Sequence, residues 1–367
     1  KKKNLCKTLL KTMCIVLGIL ILALLAYIVY LYASYYRIED NQELVVEAPV
    51  DDTTTGAAAV LATDTEYSAV TYNIGFGAYL PDYSFFMDGG TSSWAESPET
   101  VQYAINGAGE LVKSLDPDFA LIQEIDLDAT RSYHTDEYEM LRNILPEYTT
   151  VFAQNYDSAF LFYPFTQPHG SSRAGLGLFS KYPVFSALRR SFPISTSFSK
   201  FFDLDRCYSV SRIPVDNGKE LVIFNLHMSA YGNSDEIRKG QIEMLCNDMA
   251  KEYEAGNYVL CGGDFNHDLK ASEEDAESCE SWAFPFPRSE LPEHFTFCLD
   301  LLTEEEQAAL WNSARNADME YVPGVTYTVT LDGFIISDNI ECLSYENVNT
   351  GYSYSDHDPV KVEFMLK

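Results

Sequence analysis

The 367-residue chain carries 25 Lys and Arg residues against 55 Asp and Glu residues, a net charge of −30, and 46% of its residues are hydrophobic. A chain of this length and composition can bury a sizeable core, so general disorder is excluded. The acidic balance disfavours broad electrostatic binding of nucleic acid, but it leaves room for a local cationic pocket.

The amino-terminal segment predicts a membrane anchor. Five lysines in residues 1–11 precede a charge-free run over residues 12–36, which is long enough to cross about 30 Å of hydrocarbon as a helix. Because lysines mark the cytoplasmic side of such a helix, we interpret residues 1–11 as a cytoplasmic basic segment and residues 12–36 as an uncleaved transmembrane anchor, with the rest of the chain outside the cell. A cleaved signal sequence is the alternative.

Residues 37–65 are rich in small and polar side chains, which predicts a juxtamembrane linker. Residues 66–367 are then expected to form one domain, because neither a second linker nor an internal repeat follows. The sequence up to residue 40 holds six of the basic and two of the acidic residues, so the remainder has 19 basic and 53 acidic residues, a net charge of −34.

Segments rich in β-branched and aromatic residues predict strands, and two stretches with helical periodicity lie between them. The predicted strands cover residues 68–74, 118–125, 175–181, 220–228, 257–265, 332–338 and 360–366. The helical stretches cover residues 104–115 and 237–249. Strands, occasional helices and long loops together indicate layered α and β structure rather than a pure barrel.

Polar side chains stand near the ends of most of these strands, where a hydrophobic core does not require them. They are Asn73, Glu124, His227, Asp264, Asn266, Asp332, Asp356 and His357. Each of them alone is more often a turn residue or a hydrogen-bonded core residue. At the ends of neighbouring strands, however, carboxylate, amide and imidazole groups can converge on one point, and oxygen ligands are what Mg²⁺ requires.

The polar residues belong to a succession of recognisable motifs. These are TYNIG (71–75), LIQEID (121–126), SRAGLGLFSKYPV (172–184), FNLHMSAY (224–231), GGDFNHD (262–268), LDGFIIS (331–337) and YSDHDPV (354–360). In kind and order they resemble the endonuclease/exonuclease/phosphatase superfamily, which includes pancreatic-type deoxyribonuclease and neutral sphingomyelinases. The resemblance covers about residues 67–366 and implies an α/β fold, a two-sheet β-sandwich flanked by helices with the site at one edge of the paired sheets.

The resemblance also implies a metal site. Glu124 is expected to be the principal Mg²⁺ ligand, with Asn73 beside it and Asp356 in the metal shell. Mn²⁺ and Ca²⁺ are the alternative cations, since both also bind oxygen ligands.

The resemblance further implies roles in proton transfer and phosphate binding. His357 is expected to act as the general base, with Asp332 fixing its tautomer. His227 and Asn266 are expected to donate hydrogen bonds to the phosphate oxygens. Asp264 is expected to align the nucleophile or to assist the leaving group.

Two arginines are further candidates for contacts with the substrate phosphate. Arg131 and Arg206 suit bidentate phosphate binding, and the alternative for each is an ordinary ion pair. Arg206 belongs to residues 173–212, where seven basic residues stand against two acidic ones. This stretch is either a wall for an anionic substrate or a set of ordinary solvated loops.

We therefore predict an outward-facing, membrane-anchored, Mg²⁺-dependent phosphodiesterase at the cell membrane. Aromatic-rich loops at residues 83–90, 197–202 and 283–287 favour a lipid or small headgroup substrate, as in the sphingomyelinase-like branch. Extracellular DNA or RNA is the alternative substrate, and inositol phosphates come third. A surface binding protein without catalysis is the competing class, but such relatives usually lack one of the matched site residues. No protein partner is predicted.

Overall fold

A computed structural model describes residues 2–51, 60–201, 203–230, 235–272 and 283–367. The chain divides into two units, one up to Arg37 and one from Ile38 onward. The first unit is helix α1, Lys2–Ser34. Its segment Asn4–Ser34 is long and apolar enough to span a membrane, and a signal sequence near an amino terminus meets the same criteria.

The second unit contains four helices and sixteen strands among the described residues. The helices are α2 Pro98–Leu115, α3 Glu137–Ile144, α4 Asp235–Glu254 and α5 Glu304–Ala309. The strands are β1 Gln42–Glu43, β2 Val46–Glu47, β3 Glu66–Asn73, β4 Phe119–Ala129, β5 Thr149–Asp157, β6 Ser172–Ser180, β7 Ser186–Ser191, β8 Cys207–Pro214, β9 Glu220–His227, β10 Tyr258–Asp264, β11 Phe295–Phe297, β12 Ala314–Arg315, β13 Thr328–Val329, β14 Asp332–Ser337, β15 Ile340–Asn347 and β16 Val360–Leu366.

Two seven-stranded mixed sheets form the centre of this unit. Their strand orders are β1-β7-β8-β9-β10-β14-β11 and β15-β16-β3-β4-β6-β5-β2. The pairs β9/β10 and β3/β4 are parallel. Hydrophobic residues of the two sheets, such as Leu121 and Val362 of one and Phe224 and Leu260 of the other, belong to one buried cluster. The expected two-sheet sandwich with flanking helices is therefore confirmed.

Helix α2 covers the outer face of the second sheet. The side chain of Ser97 accepts a hydrogen bond from the backbone of Thr100, and Pro98 occupies the first helical position, so the helix begins where both residues favour a start. Its apolar stripe packs Ile105 and Val112 into a cluster with residues of β3 and β4. This packing fixes the two parallel strands whose carboxyl ends reach the site.

The segment 37–65 differs from the expected linker. Strands β1 and β2 pair with β7 and β5, at the edges of the two sheets, and Leu61 is fully buried in the core between the sheets. Residues 52–59 lie outside the described residues. The second unit thus begins at Ile38 rather than at residue 66, because short edge strands of this kind leave no hydrophobic pattern in the sequence.

Candidate active site

Strands β9, β10 and β14 bring three predicted site residues side by side. Asp264, the last residue of β10, lies opposite His227 on one neighbouring strand and Asp332 on the other. The strands approach closely at Gly263, which has φ 145°; a Cβ there would lie 2.1 Å from the carbonyl oxygen of Leu226. Glycine at this position therefore lets the three functional side chains share one end of the sheet.

The facing sheet supplies Asn73 and Glu124. Asn73 ends β3, and Glu124 lies in β4 where the pairing with β6 shifts between Ile122 and Ile125. Glu124 has φ 57°, a left-handed conformation that is costly for this residue type. Such bulges re-aim side chains beside functional sites. The bulge directs the Glu124 carboxylate to the Asn73 amide, which donates to Oε1 at 3.1 Å.

A buried hydrogen-bond chain holds His357. Its Nδ1 lies 2.7 Å from Oδ2 of Asp332, and the hydroxyl of Ser313 donates to the same oxygen at 2.7 Å. The Ser313 oxygen in turn accepts the backbone N–H groups of Leu331 and Asp332. The carboxylate thus fixes the tautomer of His357 with the proton on Nδ1, and Nε2 points at Oδ2 of Asp264 from 3.9 Å.

Asp356 and His357 are positioned by Ser355. The Ser355 hydroxyl donates to the backbone oxygen of Asn73 at 2.8 Å, lies 3.2 Å from Oδ1 of Asp356 and accepts the N–H of His357. Gly75 lies beside them, since a Cβ there would be 3.2 Å from Oδ1 of Asp356. These contacts tie the final loop to the end of β3.

Asp358, the third titratable residue of the loop, has a structural role. Its carboxylate accepts hydrogen bonds from Trp311 Nε1 at 2.8 Å and from the backbone of Thr350 and Tyr352. It therefore closes the loop that carries Asp356 and His357 rather than facing the site.

Asn73 and Asn266 orient carboxylates. The amide nitrogen of Asn73 also donates to Oδ2 of Asp264 at 3.0 Å, while its oxygen accepts the N–H of Gly75. Asn266 has φ 50° and donates its backbone N–H to Oδ1 of Asp264 and its amide to the oxygen of Met228. In this orientation Asn73 positions both carboxylates, and because an amide oxygen has a second lone pair, its role beside the metal ligands stays a prediction.

The two histidines differ in charge state. Burial lowers the pKa of His227 well below its usual value, and the nearby Arg206 adds to the effect, so His227 is neutral. Its Nε2 lies 3.6 Å from Oδ2 of Asp264 and 3.8 Å from Oε1 of Glu124. Burial also opposes the charged form of His357, but the neighbouring carboxylates, above all Asp332, outweigh it and raise its pKa well above the usual value.

The carboxylates of the site fit a hard divalent cation. Burial, together with Asp332, raises the pKa of Asp264 to about 7. Burial, with repulsion from Glu124, raises the pKa of Asp356 to about 6. Carboxylates that disfavour one another's ionisation in this way are stabilised by a cation, and oxygen donors are the ligands that Mg²⁺ and Ca²⁺ take.

A second arrangement of possible ligand atoms is less suited to a metal ion. Asp264, Asp332 and His357 offer atoms that all lie within 4.8 Å of one another. Oδ2 of Asp332, however, already binds both His357 and Ser313. Asp332 thus orients His357 through Oδ2, whereas its Oδ1 is buried without a hydrogen-bond partner among the described residues.

The two candidate phosphate contacts have different surroundings. Arg131 is buried in a bidentate pair with Asp126, at 2.8 and 3.1 Å, and stacks over the ring of Phe76 at 3.7 Å. Nε and Nη2 are used by Asp126, so the guanidinium braces the site, and the predicted phosphate contact would fall to Nη1. Arg206 is also buried, and its Nε and Nη1 have no hydrogen-bond partner among the described residues.

The basic stretch 173–212 does not form a cationic wall in the structure. Most of its charges are paired with neighbouring carboxylates or backbone oxygens. The pairs are Arg173–Asp128, Lys181–Asp116, Arg190–Asp40, Arg190–Asp248, Arg212–Glu220 and Arg212–Glu252, and the guanidinium of Arg189 binds the backbone oxygens of Glu39, Gln154 and Asp205. The other alternative, ordinary solvated loops, does not describe them either, because Arg173, Arg189, Arg190 and Arg212 lie in strands β6, β7 and β8.

Two residues of the site are absent from the sequence prediction. Ser313 is nineteen residues from Asp332 in the chain, and nothing in its local pattern points to the contact. Asp88 lies in a single 3-10 turn, where burial and the nearby Asp356 and Glu124 raise its pKa to about 7. The aromatic residues of loop 83–90 favour a lipid or small headgroup substrate, but nothing in that pattern marks Asp88 as part of the site.

Comparisons with known proteins agree with this geometry. A sequence model described as "Endonuclease/Exonuclease/phosphatase family" matches residues 70–299. An endonuclease/exonuclease/phosphatase from Beutenbergia cavernae is 15% identical, with 82% of this chain and 72% of that chain covered and a TM-score of 0.54. One from Bacteroides vulgatus is 17% identical, with 83% and 100% covered and a TM-score of 0.53. The catalytic domain of human Nocturnin is 13% identical, with 82% and 94% covered and a TM-score of 0.52. No curated protein sequence matches the chain.

Proposed function

The chain belongs to the endonuclease/exonuclease/phosphatase family, whose members are phosphoester hydrolases that depend on divalent metal ions, and we propose that it is an outward-facing phosphodiesterase that uses Mg²⁺. The observation that carries the proposal is the buried Asp332–His357 pair, with Nε2 of His357 aimed at the end of β10.

His357 acts as the general base in this proposal. Asp332 keeps the proton on Nδ1, so Nε2 is the atom that takes a proton from the attacking water. The surrounding carboxylates stabilise the imidazolium that forms. Because these carboxylates raise the pKa of His357, the ring is a strong proton acceptor, and turnover should rise with pH as the ring loses its proton.

Glu124 and Asp356 are the residues that would hold the cation. Both carry a carboxylate in the site, and the Asn73 amide sets the direction of Glu124. A bound Mg²⁺ supplies Lewis-acid polarisation of the phosphate and favours deprotonation of water. Mn²⁺ and Ca²⁺ remain the alternatives for this donor set.

The donors that would bind the phosphate oxygens are His227, Asn266 and Arg206. His227 presents Nε2 towards Asp264 and Glu124, and the Asn266 amide, which donates one N–H to Met228, has a second N–H for a phosphate oxygen. Arg206 adds a buried guanidinium close to His227; its Nε lies 3.9 Å from Oδ1 of Asp203, and neither Nε nor Nη1 has a hydrogen-bond partner among the described residues. Asp264, which contacts both histidines, aligns the nucleophile or assists the leaving group.

A lipid or small headgroup phosphodiester is the proposed substrate. The chain beyond residue 40 has a net charge of −34, and the cations of residues 173–212 are largely paired internally, so few are left to follow a polyanion. Nucleic acid is the second candidate, because the structure of TDP2 from D. rerio with single-stranded DNA product shares the fold, at 14% identity, 82% and 99% coverage and a TM-score of 0.51.

The test is a substrate panel with the full chain in detergent and Mg²⁺. We expect hydrolysis of bis(p-nitrophenyl) phosphate and of sphingomyelin, with slower turnover of single-stranded DNA and RNA. Faster hydrolysis of DNA or RNA would replace the lipid proposal with the nuclease one. Absence of turnover on every substrate, with Mg²⁺, Mn²⁺ and Ca²⁺ each supplied, would contradict the enzymatic proposal.

A further inference from the structure

Four large apolar side chains are exposed on two segments, at residue 87 and at residues 162–165, which meet where the rings of Phe86 and Tyr163 lie 5.9 Å apart. Phe165 is 86% exposed, Tyr163 62%, Met87 51% and Phe162 50%, and we call these four residues the aromatic patch. Three of them belong to residues 158–169, which contain no Asp, Glu, Lys or Arg. Contiguous exposed apolar side chains mark contact surfaces.

A row of aromatic rings connects the patch to the site. Phe76 follows Gly75, which lies beside Asp356. From Phe76 the ring centroids continue to Phe85 at 6.2 Å, to Phe86 at 5.0 Å, to Tyr163 at 5.9 Å and to Phe165 at 6.0 Å. The patch is therefore the outer end of a packed aromatic wall whose inner end lies at the carboxylates.

We propose that the aromatic patch docks into the interface of a lipid bilayer and brings the site to a phosphodiester held in that bilayer. This inference rests on the proposed function. Phe, Tyr and Met without neighbouring charges suit the boundary between headgroups and acyl chains. The helix Asn4–Ser34, long and apolar enough to span a membrane, points to the same partner.

The charge of the domain determines which bilayer it prefers. Anionic lipids repel an acidic surface, so the contact depends on burial of apolar side chains and not on electrostatic attraction. Docking should therefore occur on zwitterionic phosphatidylcholine, change little with salt and weaken as phosphatidylserine is added.

Phe185 provides a matched control. It is 76% exposed, but it follows the carboxyl end of β6, whereas residues 158–171 lead into the amino end of the same strand. A tryptophan at residue 165 and one at residue 185 thus report from opposite ends of one strand.

Docking can be measured by quenching of tryptophan fluorescence. Full-length Phe165→Trp and Phe185→Trp variants are placed in phosphatidylcholine vesicles that contain bromine-labelled lipids, and the signal of the three native tryptophans is subtracted. We expect several-fold stronger quenching for Phe165→Trp than for Phe185→Trp. Equal quenching of the two would overturn the proposal.

Activity distinguishes docking from catalysis. The double variant Phe162→Ser/Phe165→Ser should lower turnover of sphingomyelin in vesicles by about tenfold, since a buried aromatic side chain is worth at least that factor in binding. Its turnover of bis(p-nitrophenyl) phosphate should be unchanged, and Phe185→Ser should alter neither. If the wild type does not hydrolyse the soluble ester, the proposed function is contradicted, whatever the docking result. Unchanged turnover of sphingomyelin in vesicles by the double variant would refute docking. A wild-type oligomer that the double variant dissociates would also refute it, because the patch would then contact a second copy of the chain.

Discussion

The Asp332–His357 pair can be tested by a double-mutant cycle. The two side chains are buried and 2.7 Å apart, so each substitution disables the same unit. A general base contributes about 10²- to 10⁴-fold to turnover, so His357→Ala should lower kcat by about 10³-fold, or about 4 kcal/mol. Asp332→Asn removes a buried charge-assisted hydrogen bond worth about 1.5–3 kcal/mol, so kcat should fall by about 10- to 100-fold.

The loss of kcat in the double variant shows whether the two residues act as one unit. Independent effects of about 10³ and 10² would multiply to about 10⁵, whereas a shared unit leaves the loss near 10³, a coupling of about 2.7 kcal/mol. The assay is the initial rate on bis(p-nitrophenyl) phosphate with saturating Mg²⁺. Asp332→Asn should also move the rising limb of the pH–rate profile to lower pH, because Asp332 raises the pKa of His357.

The chain offers a matched control for this cycle. His294 and Asp338 form a pair with the same 2.7 Å separation, but both side chains are largely exposed and lie outside the site. His294→Ala and Asp338→Asn should leave kcat unchanged. A full multiplicative loss for the Asp332–His357 double variant would refute the shared role of the two residues.

The remaining predictions concern stability, binding and topology. Ser313→Ala leaves buried N–H groups without an acceptor and should lower the free energy of unfolding in urea by about 1–3 kcal/mol per group; an unchanged midpoint would contradict this. Burial lowers the pKa of His169 from 6.5 to about 3, so only the unfolded chain takes up a proton here as the pH falls below 6.5. The free energy of unfolding should therefore be about 1.4 kcal/mol lower at pH 5.5 than at pH 8 because of this group. His169→Gln should remove that difference, and the same pH dependence in the variant and the wild type would contradict the prediction. Arg206→Ala should raise KM at least tenfold, whereas Arg212→Ala should not; the reverse order would exclude Arg206 from the phosphate site. Protease added to intact cells should digest the chain after Arg37, and complete protection would reverse the orientation.

Local sequence pattern was sufficient to predict the residues at strand ends. His227 and Asp264 each end a buried strand and Asp332 begins the antiparallel neighbour, so strands that lie side by side place the three residues together. Strand and helix patterns predicted layered α and β structure, and the resemblance of the ordered motifs to the family implied the two sheets. These features depend on short stretches of chain, so a single sequence contains them.

Features that depend on contacts between distant segments could not be predicted. The bulge at Glu124 and the hydrogen bond from Ser313 to Asp332 arise from pairing across the fold. Strand β7 was missed because it contains Arg189, whose guanidinium is buried through bonds to backbone oxygens. The same holds for Arg131, whose pairing with Asp126 determines that it braces the site.

Metal dependence at Glu124 tests the central claim most directly. Hydrolysis of bis(p-nitrophenyl) phosphate is followed while Mg²⁺ is titrated into metal-free wild type, Glu124→Gln and the surface control Glu341→Gln, whose carboxylate pairs with Lys367. We predict a saturable rise from a near-zero rate for wild type and control, and for Glu124→Gln a large loss of rate with a higher Mg²⁺ requirement, since the amide keeps the shape but not the charge. An unchanged rate and unchanged Mg²⁺ dependence in Glu124→Gln would contradict the account.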